Sequence, residues 1–144
     1  MSLKPIVEKH YRNFNAHDLA AEGAIMHTNV AVEAPGAPQL RGLEAFTQFA
    51  KAWEGGFPDG QLKMLNFVET GDLAVAEGTF SGTNTGSLMT PGGAIPATGK
   101  RLQMKYCDLF RVREGKIVEH RVYFDQVEFL TQLGLMPAPG AGKR

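Results

Sequence analysis

The sequence has little of what marks a secreted, membrane-bound or nucleic-acid-binding protein. Cys107 is the single cysteine among 144 residues, so no intramolecular disulfide can form. The 15 basic and 15 acidic residues balance, which provides no basic surface for a nucleic acid or an anionic membrane. No apolar run approaches the roughly 20 residues of a transmembrane helix, and the opening residues lack the apolar centre of a signal peptide. We therefore expect a cytoplasmic protein with no nucleic-acid partner and no membrane partner.

Motifs for metals and nucleotides are missing as well. The four histidines, His10, His17, His27 and His120, form no HxH or HExxH cluster. No glycine-rich loop stands between a strand and a helix, where it would bind a phosphate group. The sequence therefore predicts no metal and no cofactor, and any chemistry has to use the protein's own side chains.

Apolar residues recur at helical spacing early in the chain and alternate with polar residues later. This pattern predicts helices at 2–14, 18–25, 43–56 and 125–133, strands at 28–33, 61–69 and 73–83, and a hairpin over 102–124. Helices followed by an antiparallel sheet indicate one α+β domain over residues 1–135, with a curved sheet folded over the N-terminal helices. Residues 136–144 are predicted to be a flexible tail.

The hairpin is the most informative segment. Both arms alternate apolar and polar residues, as strands with one wet face do. Arg113-Glu114-Gly115 suits a three-residue loop closed by a left-handed glycine, and that loop places Asp108 opposite His120. The face that carries these two residues is otherwise apolar and consists of Leu102, Met104, Tyr106, Phe110, Val112, Val118, Val122 and Phe124.

An acid and an imidazole on an apolar face need an explanation. An ionised, unpaired carboxylate there costs several kcal/mol unless it is protonated, hydrogen-bonded or lining a wet pocket. Because perturbed acids cluster at functional sites, we interpret Asp108 as a pocket residue, with a structural bond to the backbone as the alternative. For His120 a pocket role and a satisfied core position stay open. Asp108 and His120 are therefore the candidate catalytic residues.

Short segments spread over nearly the whole chain resemble one family. These segments are Asn15-Ala16-His17-Asp18, Arg41-Gly42, Phe57-Pro58-Asp59, Gly82-Thr83-Asn84-Thr85-Gly86, Pro96-Ala97-Thr98-Gly99, Gly115-Lys116-Ile117-Val118-Glu119-His120, Tyr123-Phe124-Asp125-Gln126 and Gln132-Leu133-Gly134. In order and spacing they resemble the SnoaL-like polyketide cyclase (ester cyclase) family, within the superfamily of nuclear transport factor two and ketosteroid isomerase. The resemblance implies a cone-shaped α+β fold, with a curved antiparallel sheet wrapped around N-terminal helices and a short C-terminal helix.

The resemblance also places individual residues. Asp108 stands where ketosteroid isomerases carry an oxyanion-stabilising Asp, whereas Ala34 and His10 replace the isomerases' proton-shuttling Asp and oxyanion Tyr. Two of the three catalytic positions of the epoxide hydrolases of this fold are also lost. Asn84 and Val122 stand where many of the cyclases carry a His and an Asp. The resemblance therefore disfavours steroid isomerisation and epoxide hydrolysis.

In such a cone the core is incomplete, and side chains around its opening contact a ligand. The candidate substrate-binding residues of this kind are Met104, Tyr106, Val122, Phe124, Trp53 and Phe57. His27 on the first strand could reach the pocket or lie on a solvated edge. Asn84 begins a glycine- and proline-rich segment, 84–99, predicted to be a long loop, where it binds a ligand or holds a turn.

Three functions fit these observations. The first is a cofactor-independent cyclase, lyase or isomerase that manages a proton next to the carbonyl of a hydrophobic small molecule. The second is a small-molecule binding protein of the same fold without turnover, and the third is a protein–protein module. The outer face of the hairpin mixes charged and apolar side chains, and the resemblance implies a homodimer formed through the sheet.

Overall fold

A computed structural model of the protein describes residues 2–37, 39–90 and 92–137. Residues 138–144 of the predicted tail lie outside the described residues. The helical elements are α1 Lys4–Asn15, a 3-10 helix Leu19–Ala24, α2 Leu43–Gly56 and α3 Gln126–Gln132. Each lies where the apolar spacing predicts a helix.

The predicted caps hold at two of these helices. The Asp18 carboxylate accepts the Ala21 N–H at the 3-10 helix, and the Asp125 carboxylate accepts two N–H groups at the start of α3. Leu3 is the N-cap residue of α1, while the Ser2 hydroxyl accepts the Lys4 N–H and donates to the Glu69 carboxylate. That bond ties the start of α1 to the sheet.

Eight strands are present in the described residues. They are β1 Met26–Glu33, β2 Leu40–Arg41, β3 Gln61–Thr70, β4 Leu73–Thr83, β5 Leu88–Thr90, β6 Gly93–Ile95, β7 Arg101–Arg113 and β8 Lys116–Tyr123. Six of them form one curved sheet in the order β2-β1-β8-β7-β4-β3. The predicted α+β class is confirmed.

The sheet is mixed rather than fully antiparallel. Four of its five strand pairings are antiparallel, whereas β1 and β8 run parallel. Met26 pairs with Ile117 and Ala31 pairs with Glu119, so β1 advances five residues between these two pairings while β8 advances only two. The extra residues on β1 leave the ladder, and they include the exposed His27.

The β7–β8 hairpin corrects the predicted register. Its turn has two residues, Glu114 and Gly115, both with positive φ, so Arg113 pairs with Lys116. A bulge next to Val118 then shifts the pairing, and His120 lies opposite Phe110 while Asp108 lies opposite Val122. The predicted direct pairing of Asp108 with His120 is therefore wrong, because a two-residue turn plus a bulge replaces the three-residue loop.

The bulge changes which residues of β8 face the core. Ile117 is fully buried, although strict alternation assigns it to the outer face, and Val118 is only half-buried. His120 still points inward, three residues after Ile117. The inner face of β7 follows the prediction throughout, since its even-numbered residues from Leu102 to Val112 are buried.

The helices cover the inner face of the sheet. On α1, Phe14 packs edge-on against Phe80 of β4, with ring centroids 6.4 Å apart. On α2, Trp53 packs against Phe80 at 5.3 Å. These rings line the space between the helices and the sheet, where the candidate site lies. No helix among the described residues is long and apolar enough to cross a membrane.

Segment 84–99 is partly ordered into a ribbon, contrary to the expectation of a loop without secondary structure. Its strands β5 and β6 pair antiparallel, with Leu88 opposite Ile95. Leu88 is buried against Gly56 at the end of α2, and this contact anchors the ribbon on the helix. Because the segment is rich in glycine, the sequence pattern did not predict these two short strands.

Candidate functional site

A cavity lies between the two long helices and the inner face of the sheet. About 550 Å³ of space lies within it when its open mouth is counted, and about 60 Å³ of this admits the centre of a water molecule. Its wall is almost entirely apolar, with rings from Phe14, Phe46, Phe49, Trp53 and Phe80. The polar side chains on the wall come from α1, β7 and β8, so the polar groups lie on one side of an otherwise apolar space.

Asp108 and His120 lie together on this wall. Oδ1 of Asp108 is 3.3 Å from Nε2 of His120, and both side chains are about 95% buried. Although they are not direct cross-strand partners, the diagonal between β7 and β8 brings them within reach. The imidazole stacks flat on Phe110, with ring centroids 4.6 Å apart and an angle of 9°.

The two residues differ in how the protein satisfies them. Oδ2 of Asp108 accepts a 2.7 Å hydrogen bond from the Tyr11 hydroxyl. Neither ring nitrogen of His120 has a hydrogen-bond partner among the described residues, because the contact to Asp108 lacks hydrogen-bond alignment. Buried polar atoms without partners are uncommon and costly. The His120 imidazole thus keeps hydrogen-bonding capacity inside an apolar wall.

Two tyrosines surround the carboxylate. Burial raises the pKa of Tyr11 far above its ordinary value, and the charge of Asp108 adds to the effect, so the Tyr11 hydroxyl keeps its proton and serves as a donor. Burial likewise raises the pKa of Tyr106, whose hydroxyl has no hydrogen-bond partner in the described part of the chain.

Gly78 makes room for the Tyr106 hydroxyl. Tyr106 lies opposite Gly78 in the ladder between β4 and β7. A Cβ at Gly78 would lie 2.9 Å from the Tyr106 oxygen and 1.9 Å from the Lys63 carbonyl oxygen. Any larger residue at this position would therefore displace both the ring and the backbone of β3.

A second histidine–carboxylate pair lies beside the first. Nδ1 of His10 is 2.6 Å from Oε2 of Glu22, and Oε1 of Glu22 accepts a 2.9 Å bond from the Asn13 amide. Glu22 is fully buried, and the ring of His10 lies 5.1 Å from that of His120 on the cavity wall. Burial lowers the pKa of His10, but the charge and hydrogen bond of Glu22 outweigh burial and raise it overall.

The structure brings seven of the ten predicted site residues to the cavity wall. They are Asp108, His120, Met104, Tyr106, Val122, Phe124 and Trp53. Phe124 meets Trp53 edge-on at 5.8 Å, which joins the end of β8 to α2. The geometry places these residues together, and their roles toward a ligand stay predictions.

Three predicted residues lie elsewhere. Phe57 is buried behind the wall, stacked on Trp53 at 5.8 Å. His27 is exposed, and its Nδ1 accepts the Asn29 N–H. Asn84 is buried away from the cavity, where all four of its hydrogen-bonding positions are used.

The sequence leaves two roles open for Asn84, binding a ligand or holding a turn, and its hydrogen bonds in the structure fit the second. Its amide donates to the carbonyls of Gly56 and Gly86, and its oxygen accepts both the N–H and the hydroxyl of Thr98. These bonds hold the two ends of segment 84–99 against the end of α2. No hydrogen-bonding position remains for a ligand.

Sequence reasoning missed His10, Tyr11 and Glu22 as site residues. Helical spacing places His10 and Tyr11 on the buried face of α1, but an apolar face of that kind is ordinarily plain core. Glu22 sits in a short 3-10 helix, and no local pattern links it to His10. The available signals were a histidine on an otherwise apolar helix stripe and the resemblance, which places His10 at the position of an oxyanion-stabilising Tyr.

No group of three or more His, Cys, Asp or Glu side chains is placed to hold an ion within residues 2–37, 39–90 and 92–137. Each of the two histidines on the wall is instead paired with one carboxylate.

The sequence of this chain is similar to those of known proteins. The sequence pattern of the SnoaL-like polyketide cyclases matches residues 6–133. Aklanonic acid methyl ester cyclase DauD of Streptomyces sp. (strain C5) is 30% identical over 122 residues, which are 84% of this chain and 68% of DauD.

Solved structures show the same fold. TsrD from Streptomyces laurentii superposes with a TM-score of 0.80 at 26% identity, covering 93% of this chain and 96% of TsrD. IdmH from Streptomyces antibioticus, a candidate polyketide cyclase, has a TM-score of 0.75 at 27% identity, covering 91% of this chain and 97% of IdmH.

Proposed function

Because the chain belongs to the SnoaL-like polyketide cyclase family, we propose that it is a cofactor-independent cyclase that closes a ring in a hydrophobic carbonyl compound. One observation carries the proposal. On the wall of an apolar cavity, the imidazole of His120 is buried 3.3 Å from the Asp108 carboxylate, and both of its nitrogens lack partners among the described residues. A protein that only stabilised this pair would satisfy it internally.

The proposed chemistry begins with proton removal. Asp108 takes a proton from the carbon next to a substrate carbonyl, and the C–H electron pair becomes an enolate. An N–H of His120 donates to the enolate oxygen, where the negative charge develops. The apolar wall strengthens both interactions, since charges attract more strongly where water is excluded. The enolate carbon then attacks a second carbonyl of the same molecule and closes the ring.

Tyr11 positions the base. Its hydroxyl occupies Oδ2 of Asp108, which leaves Oδ1 as the oxygen nearest His120. Because the raised pKa keeps Tyr11 protonated, this donation persists across the physiological pH range. The carboxylate is thereby held in one orientation while its second oxygen accepts the substrate proton.

The substrate class follows from the cavity wall and the relative. The wall is apolar apart from His10, Tyr106, Asp108 and His120, which favours a ring-forming compound with several carbonyl groups and little charge. DauD acts on aklanonic acid methyl ester, by its name. For this chain we propose the same chemical class, an uncharged polyketide-type ester or ketone.

Two probe reactions test this proposal. The first is exchange of the methyl protons of 1-acetonaphthone with D2O, followed by NMR, which needs only proton removal next to a carbonyl. The second is ring closure of 1-phenylhexane-1,5-dione. We expect Asp108→Asn to lose both activities by about 100-fold or more, which is the usual contribution of a positioned base.

The matched control removes the same charge elsewhere. The control variant is Asp72→Asn. Asp72 lies at the outer end of the sheet, where its carboxylate pairs with Arg111 and Arg113. This variant should keep both activities. If the wild-type protein binds 1-acetonaphthone but catalyses neither its proton exchange nor the ring closure of 1-phenylhexane-1,5-dione, the protein is a non-catalytic binding protein and not a cyclase.

We also propose that the protein forms a homodimer through the outer face of the sheet. Val68, Val75 and Leu109 lie side by side on that face, and Val68 is 64% exposed. Tyr123 is 52% exposed opposite Cys107. Light scattering should give twice the chain mass, and a monomer mass at high micromolar concentration would refute the dimer.

A further inference from the structure

The proposed reaction leaves the His10–Glu22 pair without a role. Glu22 is fully buried, and its two oxygens are 2.6 Å from Nδ1 of His10 and 2.9 Å from the Asn13 amide. Burying an ion pair in this way is costly, and well-packed apolar residues often stabilise a protein as well or better. The pair is therefore weak evidence of a stabilising role and suggests a use for the imidazole.

The contact with Glu22 sets the state of the ring. Because a carboxylate can only accept, Nδ1 of His10 carries a proton and Nε2 is the nitrogen left over. Among the described residues the structure gives Nε2 of His10 no hydrogen-bond partner. The ring lines the same cavity as Asp108 and His120.

Within the described part of the chain, four titratable groups lie around His10. Glu22 faces it from the 3-10 helix, Asp108 from β7, His120 from β8 and Tyr11 from α1. The remaining close rings, Phe46 and Phe110, are apolar. The two carboxylates favour the imidazolium, and burial opposes it, with the result that the pKa of His10 is raised. In that form Nε2 offers a proton to the cavity.

We propose, on the basis of the cyclase function proposed above, that His10 held by Glu22 is the acid that protonates the oxygen of the carbonyl attacked during ring closure. When the enolate carbon forms the new C–C bond, the C=O π pair moves to oxygen. Nε2 of His10 gives its proton to that oxygen, producing a hydroxyl group and a neutral imidazole.

The proton balance of this scheme is completed by a transfer within the cavity. Asp108 holds the proton taken from carbon, and His10 lacks one. The ring of His120 lies 3.3 Å from Asp108 and 5.1 Å, between centroids, from His10, so it stands between donor and acceptor. Return of the proton restores both groups, and the reaction needs no oxidant, reductant or co-reactant. Glu22 is a positioning residue in this scheme, and His10 is the catalytic one.

The first test is the pH profile of 1-phenylhexane-1,5-dione ring closure. Activity should fall on the alkaline side as His10 loses its proton. Glu22→Gln keeps the shape and removes the charge, so it should move that limb to lower pH. His10→Gln should lower the rate by about 100-fold or more. The matched control, Glu77→Gln on the exposed surface of β4, should leave the limb in place.

The second test needs no turnover. In the full-length protein with ¹⁵N-labelled histidines, 1-acetonaphthone should shift the Nε2 signal of His10, and Glu22→Gln should move the His10 titration to lower pH. Circular dichroism checks that each variant is folded. If His10→Gln does not fold, the Glu22→Gln profile and the His10 signal decide the question.

The outcomes separate the two proposals. Exchange that depends on Asp108, together with an unmoved alkaline limb in Glu22→Gln or a His10 signal indifferent to the ketone, overturns the role of His10 and leaves the cyclase function standing. A ketone-dependent His10 signal without any exchange overturns the cyclase function and retains a His10 that donates to a carbonyl ligand.

Discussion

The two histidine–carboxylate pairs of the cavity are built from the same groups and held in opposite ways. His10 and Glu22 are 2.6 Å apart, and the second oxygen of Glu22 is occupied by Asn13. Asp108 and His120 are 3.3 Å apart without hydrogen-bond alignment, and both nitrogens of His120 lack partners in the described residues. In the tightly held pair the protein satisfies both oxygens of the carboxylate and one nitrogen of the imidazole, whereas in the loosely held pair neither imidazole nitrogen has a partner among the described residues.

Their settings in the fold explain the difference. His10 and Glu22 come from two neighbouring helical elements, α1 and the short 3-10 helix. Asp108 and His120 lie on the adjacent strands β7 and β8, and the ring of His120 stacks flat on Phe110 without hydrogen-bond alignment to the carboxylate. A rigid sheet thus holds two groups close without letting them satisfy each other, as preorganised sites require.

Of the four predicted changes, replacing Asp108, which breaks the loosely held pair, should have the largest effect on activity. We expect Asp108→Asn to lose about 100- to 10,000-fold in exchange rate, while unfolding free energy falls by less than about 1.5 kcal/mol because the Asn oxygen still accepts from Tyr11. Exchange kinetics and urea unfolding measure the two. A variant that unfolds early but keeps its activity per folded molecule would show that Asp108 is structural.

Removing one partner of the tightly held pair should have the largest effect on stability, because it leaves buried groups unpaired. Glu22→Leu leaves His10 Nδ1 and the Asn13 amide buried without partners, and should lower the free energy of unfolding by about 3–5 kcal/mol. Urea unfolding compares this variant with Glu77→Gln at the surface. A loss below that of Asp108→Asn would mean that the two pairs do not differ as described.

The tight pair should also make stability depend on pH. Since the pKa of folded His10 is raised, its contribution is fully present below the unfolded value of 6.5 and is lost as pH rises through the folded value. The stability difference between wild type and Glu22→Gln should therefore be largest below pH 6.5 and shrink as the pH rises through the folded pKa of His10. Equal differences at both ends would contradict a charged His10.

Removing the Tyr11 hydroxyl should have the smallest effect of the four. Tyr11→Phe leaves the ring packed against Phe110 and deletes one donor to Asp108. We expect a stability loss of about 1 kcal/mol, and a fall in exchange rate that is smaller than in Asp108→Asn. If Tyr11→Phe matched Asp108→Asn in rate, Tyr11 itself would be a reacting group.

Local pattern determined much of this protein. Helical spacing predicted α1, α2 and α3, and alternation predicted β3, β4 and β7 close to their observed bounds. Alternation also placed Asp108 and His120 on the inner face, where both are buried. The physical reason is that periodicity is a property of each segment alone, because one buried face forces apolar residues to recur with the period of the element.

Tertiary structure alone decided the details of the site. The two-residue turn and the bulge next to Val118 together moved His120 from Asp108 to Phe110 as its direct partner. Each shifts the pairing by one residue, and a shift of two keeps both side chains on the inner face. The irregularity in the pairing of β1 with β8 took His27 out of the ladder, and the Asn84 side chain depends on two backbone groups from distant positions, the Gly56 carbonyl and the Thr98 N–H. The pairing of His10 with Glu22 depends on how a 3-10 helix packs on α1, and no spacing in the chain encodes a distance between two elements that meet only after folding.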